Sequence, residues 1–222
     1  MKNLISTFVI VLSLLTTIIQ AQVPADSALN SLIEGNKRFV EGSSVRPHQD
    51  LQRIKEVSLG QKPFAIIVGC SDSRVPSEII FDQGLGDLFI VRTAGQVSSF
   101  ASWGSIEFGN AILGAKLIVV MGHSKCGAVA AACKLPDVPG HIVTLINAIK
   151  PAAQLAKTQT GDEVENAVKI NVALQVQQLQ NMEPVLTKAF QSGELKIVGA
   201  VYNLETGNVE FLDPFYLQTL KK

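Results

Sequence analysis

Three apolar runs in the middle of the chain each lead into a polar segment that contains glycine. They are FAIIVGC (64–70), GDLFIVRTAG (86–95) and AKLIVVMGHSKCG (115–127). Continuous apolar runs of this length are typical of strands that are buried on both faces of a sheet. Residues 98–114, between the second and third runs, have a helical pattern and end at a glycine. Strands that alternate with helices indicate βαβ units and a mainly parallel sheet.

A helical pattern and a polar segment precede these runs. Residues 26–42 are amphipathic, and Asp26 or Ser27 is the expected N-cap of a helix there. Residues 46–63 are polar and interrupted by proline and glycine, which predicts a loop with a short helix.

The patterns that follow the runs complete an α/β fold. Residues 141–157 and 162–192 have helical character, with interruptions at Pro151 and Pro184. A fourth apolar run, a turn at 206–208 and a fifth run then predict a β-hairpin. We therefore predict a single domain in which helices flank a mainly parallel central β-sheet that ends in a C-terminal β-hairpin.

The first 21 residues have the layout of a secretory signal peptide. They contain one lysine, an apolar stretch and a small residue at Ala21. The apolar stretch is shorter than the ~20 residues of a comfortable membrane span, and the alternative is an uncleaved N-terminal anchor. We expect residues 1–21 to be removed and residues 22–222 to form the folded domain. The mature protein is then exported, periplasmic or secreted, without a stable membrane anchor.

Charge and cysteine content narrow the function. Nineteen basic residues balance nineteen acidic ones, so we have no electrostatic reason to expect nucleic acid as a partner. An exported protein ordinarily pairs its cysteines in disulfides, yet this chain has three, Cys70, Cys126 and Cys133. Either one thiol is free or some thiols bind something other than sulfur. For Cys133 we expect the role of a buried small hydrophobic residue.

Polar clusters follow the first and third apolar runs, as GCSDSR and GHSKCG. Since ligands bind at the carboxyl ends of parallel strands, we expect both clusters at one edge of the sheet. Cys70, His123 and Cys126 would then form a set that binds zinc tetrahedrally, with the fourth position open in a catalytic site. One alternative is a closed site with Asp72 as fourth ligand, which makes the protein a non-catalytic structural-zinc module. Another is thiol–disulfide exchange, which the lack of a C-x-x-C motif disfavours.

Asp72 and Arg74 belong to the first cluster. A structural ion pair at the start of a helix is the usual explanation for such a pair. Next to a metal site, the same two residues are candidates for catalysis.

The motifs CSDSRVP, GDLFIVRTAG, GSIEFG and GHSKCGAV, in this order and spacing, resemble those of the β-class carbonic anhydrases. The resemblance runs from LIEGNKRFVEG to VGAVYNLETGNVEFL and covers nearly all of the chain after the leader. It implies one zinc ion per chain on Cys70, His123 and Cys126. It also implies a catalytic dyad of Asp72 with Arg74. In some members of the family the aspartate takes the fourth zinc position, and in others it pairs with the arginine and water is the fourth ligand.

The resemblance also implies substrate-binding residues. Gln61 corresponds to an amide that hydrogen-bonds the substrate, and Phe89 and Phe108 fall where the family has apolar or aromatic pocket walls. Thr93 and Gln96 depart from the family pattern, in which asparagine is common, and this leaves the local hydrogen bonding near the ligands open.

The function implied by the resemblance is the zinc-dependent, reversible hydration of CO₂ to bicarbonate and a proton, with hydroxide on zinc as the nucleophile. The protein would be a carbonic anhydrase (carbonate dehydratase), a zinc lyase whose partners are small molecules. The closest alternative on this fold is a hydrolase of a CO₂-like molecule such as carbonyl sulfide or carbon disulfide. The resemblance further implies a homodimer or a dimer-built oligomer.

Overall fold

A five-stranded sheet with helices on both faces forms the centre of the protein. The computed structural model describes residues 22–135 and 137–221, so the predicted signal peptide lies outside the described residues. The strand order is β2-β1-β3-β4-β5. The first four strands are parallel, and β5 is antiparallel to β4. The strands are β1 (Ala65–Cys70), β2 (Leu88–Thr93), β3 (Leu117–His123), β4 (Lys196–Tyr202) and β5 (Val209–Phe211).

The predicted α/β architecture and its C-terminal hairpin are confirmed. None of the helices among the described residues has the length and apolar character needed to cross a membrane. The helices are α1 (Ala25–Val40), α2 (Leu51–Val57), α3 (Ser77–Ile80), α4 (Phe100–Ala111), α5 (Gly127–Lys134), α6 (Ile142–Ala156), α7 (Glu163–Gln180) and α8 (Leu186–Gln191), with 3₁₀ turns at Ala94–Gln96 and Tyr216–Thr219.

Two local predictions are wrong. The first helix begins at Ala25, so Asp26 lies in its first turn, where its carboxylate pairs with Lys196 instead of capping the helix. Pro151 lies inside α6 and does not interrupt it. The helix buries Ile149 and Ala152 on either side of that proline, and this packing outweighs the loss of one backbone donor. The interruption expected at Pro184 is confirmed, because that residue lies between α7 and α8.

The two central strands are buried along their whole length. Every residue of β1 and β3 is buried, as the continuous apolar runs predict for strands that are covered on both faces. Side chains alternate between the two faces. Ile66 and Val120 belong to one hydrophobic cluster, and Ile67 and Val119 belong to the other.

The carboxyl ends of β1 and β3 meet at one edge of the sheet. Gly69 of β1 is opposite Met121 of β3, and the strands end at Cys70 and His123. The prediction that both polar clusters lie at one edge is therefore confirmed. The fold delivers two candidate metal ligands side by side, on the most deeply buried strands of the sheet.

Candidate metal centre

Cys70, His123 and Cys126 form a compact group of potential metal ligands. Their donor atoms all lie within 4.8 Å of one another, and all three residues are buried. A zinc ion with tetrahedral angles, with Zn–S near 2.3 Å and Zn–N near 2.0–2.1 Å, places such donors about 3.6–3.8 Å apart. The cluster is therefore the right size for one zinc ion.

Local chain geometry brings the third ligand to the other two. His123 ends β3, and Cys126 is the N-cap of α5. Lys125, between them, has a φ of +54°. This left-handed conformation turns the chain sharply, so that the strand and the following helix present both ligands to the same point.

A hydrogen bond to a backbone carbonyl orients the imidazole of His123. Its Nδ1 lies 2.9 Å from the carbonyl oxygen of Ser124. Because that oxygen can only accept, Nδ1 carries the proton and the lone pair of the ring is on Nε2. The Nε2 atom is buried and has no hydrogen-bond partner among the described protein atoms. A buried acceptor with this orientation fits a metal ligand that is held by its other ring nitrogen.

Ser124 is itself anchored to the C-terminal hairpin. Its amide donates to the carbonyl of Tyr202 at 2.9 Å, and its hydroxyl accepts from the amide of Leu204 at 2.9 Å. The orientation of His123 therefore depends on β4 and on the turn that follows it.

The two sulfur atoms of the cluster perturb each other. The hydrogen bond with Cys126 is the main cause that lowers the pKa of Cys70 below its usual value; His123 and the amides of Asp72 and Gly95 lower it further, against the effect of burial. The same hydrogen bond and burial raise the pKa of Cys126. Without a cation, one thiolate therefore makes the other harder to form. A bound dication favours both thiolates, since opposite charge stabilises the ionised form.

Asp72 and Arg74 form a bidentate ion pair beside the cluster. Arg74 Nε donates to Asp72 Oδ1 at 2.9 Å, and Arg74 Nη2 donates to Asp72 Oδ2 at 2.7 Å. The backbone amide of Arg74 donates to Oδ1 as well, at 3.0 Å. The guanidinium holds the pKa of Asp72 well below its usual range. Asp72 Oδ2 lies 3.8 Å from His123 Nε2, so an ionised carboxylate stands at the rim of the cluster with both oxygens bound to arginine.

Three residues that the sequence did not predict, Arg92, Gly95 and Ser124, support this geometry. Arg92 Nε donates to the carbonyl of Cys70 at 2.7 Å, and its Nη2 donates to that of Asp72 at 2.6 Å. Gly95 donates its amide to Cys70 Sγ at 3.2 Å. Arg92 and Gly95 lie close to Thr93, which pairs with Cys70 in the parallel sheet. The end of the second apolar run could therefore have indicated that these two residues contact the cluster. Nothing local in the sequence distinguishes Ser124.

Thr93, Gln96 and Cys133 have different surroundings. Thr93 donates its hydroxyl to the carbonyl of Val97 at 2.5 Å. Gln96 is fully buried with a φ of +46°. Cys133 is half-buried against the core, and burial raises the pKa of its thiol. None of the three cysteines is in a disulfide.

The three predicted substrate-binding residues do not lie beside the cluster of their own chain. Gln61 precedes β1 and lines a groove with Gln22 and Arg53. Phe89 is opposite Ile66 near the start of β2, and its ring centroid lies 6.4 Å from that of Phe108. These residues are at the amino end of the sheet, whereas Cys70 is at the carboxyl end. Several strand residues separate the two ends, and each residue adds about 3.3 Å.

Comparison with known proteins assigns the family. The carbonic anhydrase family model matches residues 65–209. Carbonic anhydrase of Mycolicibacterium smegmatis is 39% identical over 188 residues, which cover 83% of this chain and 91% of the relative. Carbonic anhydrase 2 of Mycobacterium tuberculosis is 39% identical over 193 residues, which cover 84% and 92%.

Solved structures give the same result. A structure from a study of two tetrameric β-carbonic anhydrases of Sordaria macrospora matches with a TM-score of 0.68 at 25% identity, over 83% of this chain and 96% of that one. The fold, the two-cysteine and one-histidine cluster and these similarities agree. The chain belongs to the β-carbonic anhydrases, a family of lyases.

Proposed function

We propose that the protein catalyses the reversible hydration of CO₂ to bicarbonate and a proton, with one zinc ion per chain held by Cys70, His123 and Cys126. The observation that carries this proposal is the buried Nε2 of His123, which faces two thiols without a hydrogen-bond partner among the described protein atoms. Two thiolates and an imidazole are ligands that zinc takes in catalytic sites with three protein ligands. Two negative sulfurs also offset the charge of the ion in a buried site.

Zinc, when bound, supplies a Lewis acid that lowers the pKa of a coordinated water from about 15.7 to about 7, the value known for carbonic anhydrases with three histidine ligands. The side chains of this protein would orient the reactants. Asp72 is an ionised acceptor at the rim, and it would accept a hydrogen bond from the attacking oxygen and direct a lone pair of that oxygen at the carbon of CO₂. Arg74 engages both carboxylate oxygens and would keep Asp72 away from the metal.

We further propose that a second copy of the chain completes the substrate pocket. The strand order leaves β2 at one edge of the sheet. Next to this edge, α4 and its C-cap residue expose large apolar side chains: Phe100 is 88% exposed, and the C-cap Ile112 is 69% exposed. An unpaired edge beside an apolar surface favours association with another chain.

A two-fold axis beside β2 gives this association a functional consequence. Two edge strands related by a two-fold axis perpendicular to their direction run antiparallel. The amino end of one β2, with Phe89 and its neighbour Phe108, then lies beside the carboxyl end of the other, where Thr93 is paired with Cys70. Gln61 is also at the amino end of the sheet, so in this dimer it too would lie near the metal cluster of the other chain. The partner's copies of these residues would form the apolar wall and the amide donor of the pocket.

Export is the final part of the proposal. The support for it is the pattern of the first 21 residues, with one lysine, an apolar stretch and Ala21. Zinc in the cluster also fits this location, because metal binding protects Cys70 and Cys126 from oxidation to a disulfide.

The first prediction concerns zinc content. We expect about one zinc per chain in the purified protein and nearly none in Cys70→Ser or His123→Ala, because each variant removes one of three protein ligands. Cys133→Ser is the matched control and should keep its zinc. Elemental analysis after dialysis measures all four proteins. A full complement of zinc in either ligand variant would contradict the site.

The second prediction concerns catalysis. Asp72→Asn should keep zinc and lose about 100-fold or more of its CO₂ hydration rate, since the amide carries no charge to orient the attacking oxygen. Glu210→Gln, at an exposed ion pair with Lys169, should retain the wild-type rate. Stopped-flow hydration with a pH indicator measures both. Zinc-loaded wild-type protein without CO₂ hydration would reject the function, and carbonyl sulfide hydrolysis in that protein would establish the alternative.

The third prediction concerns the shared pocket. Gln61→Ala and Asp72→Asn should each be defective, yet a refolded equal mixture should recover about a quarter of the wild-type activity, because one site in each mixed dimer has both residues intact. The control mixture is Arg74→Ala with Asp72→Asn, which alters the same half of the pocket and should recover nothing. If Gln61 served its own chain, neither mixture would recover.

The fourth prediction concerns location. Expression of the full chain in a Gram-negative bacterium, followed by fractionation, should place the protein outside the cytoplasm with a new amino terminus near residue 22. Mass spectrometry reads that terminus. A soluble cytoplasmic protein that retains Met1 would refute export.

A further inference from the structure

Gly95 connects the metal cluster to helix α7 through both sides of its backbone. Its N–H donates to Cys70 Sγ at 3.2 Å, and its carbonyl oxygen accepts from Asn171 Nδ2 at 3.0 Å. Both contacts are buried. A side chain on α7 therefore holds the residue that donates a hydrogen bond to a candidate metal ligand.

The conformation of Gly95 needs such support. Its φ of +71° lies in the left-handed region, and a Cβ atom there would come within 2.7 Å of Ile149 Cδ1 and 3.2 Å of Ala128 Cβ. Glycine is thus required by conformation and by space. Glycine is also the most flexible residue, so its orientation toward Cys70 depends on contacts made by its own peptide groups.

Asn171 suits this task, because the bond from its Nδ2 to Gly95 is the one side-chain hydrogen bond that it makes among the described residues, and its Oδ1 is buried without a partner there. It is 1% exposed on an apolar part of α7, where a polar side chain is unfavourable unless it is hydrogen-bonded. The Gly95 carbonyl can only accept, so the amide must present its nitrogen. Leucine at this position would fill similar space and give up the contact.

We propose that Asn171 is a positioning residue for the metal centre, which holds Gly95 so that its N–H donates to the thiolate of Cys70. The inference rests on the proposed zinc site. Two thiolates give more charge to a metal than imidazoles do and make it a weaker Lewis acid. A hydrogen bond to one thiolate withdraws part of that charge. Asn171 thereby contributes to the acidity of the metal without touching metal or substrate.

The test is the absorption of the cobalt(II)-loaded protein, in which thiolate-to-cobalt charge transfer gives a near-ultraviolet band. Asn171→Leu should shift this band to longer wavelength, because a thiolate without its N–H partner gives up charge more readily. We expect the hydration rate of the zinc-loaded variant to fall about 10-fold or more. If Asn171→Leu fails to fold by circular dichroism, Asn171→Ala is measured instead.

Gln175→Leu is the matched control. Gln175 lies one turn further along α7 and is also buried. It accepts a hydrogen bond from the amide of Ser98 at 3.3 Å, in the segment between β2 and α4 that also contains Gly95. Its loss removes one hydrogen bond between α7 and the segment between β2 and α4, but it leaves the hydrogen bond from Asn171 to Gly95 intact. The charge-transfer band should therefore stay at the wild-type wavelength. An unchanged band in the Asn171 variant, or an equal shift in the Gln175 variant, would overturn the inference. A wild-type protein without the band would overturn the metal site itself.

Discussion

The parallel pairing of β1 with β3 is the constraint on which the rest of the site depends. It sets the last residues of two buried strands side by side, and those residues are Cys70 and His123. Helix α7 packs so closely on β3 that a Cβ on Gly122 would lie 2.7 Å from Val172 Cγ2. Cys70 and His123 therefore lie at the ends of fully buried, closely packed strands, and folding positions both side chains without the help of a metal.

Charged and polar groups surround the cluster of Cys70, His123 and Cys126. The cluster itself carries donors that favour a dication. When no cation is present, the hydrogen bond between the two sulfurs lowers the pKa of Cys70 and raises that of Cys126, so only one of the two thiols ionises readily. Asp72 is kept ionised by Arg74, and its Oδ2 lies 3.8 Å from Nε2 of His123, at the rim of the cluster. Backbone amides of Asp72 and Gly95 donate to Cys70. The sulfur of Cys70 is thus both a candidate metal ligand and the acceptor of hydrogen bonds that reduce its negative charge.

Sequence reasoning was strongest where a local pattern had one structural meaning. Continuous apolar runs predicted the buried strands, and their exits predicted a shared edge with Cys70, His123 and Cys126. It failed where packing between distant segments decides. Pro151 stays helical because its neighbours are buried, and Asn171 reaches Gly95 across the fold. Gln61 and Phe89 were predicted as pocket residues by resemblance alone. They lie at the far end of the sheet from Cys70, and the proposed second chain is what would bring them to a metal site.

The central claim is that three protein ligands hold zinc while Asp72 stays on Arg74. A crystal structure of the zinc-loaded protein near neutral pH, with anomalous diffraction at the zinc edge, tests it most directly. The account predicts one zinc on Cys70, His123 and Cys126, a non-protein fourth ligand, and an intact Asp72–Arg74 ion pair. Asp72 bound to zinc with Arg74 released, or zinc bound elsewhere, would contradict it.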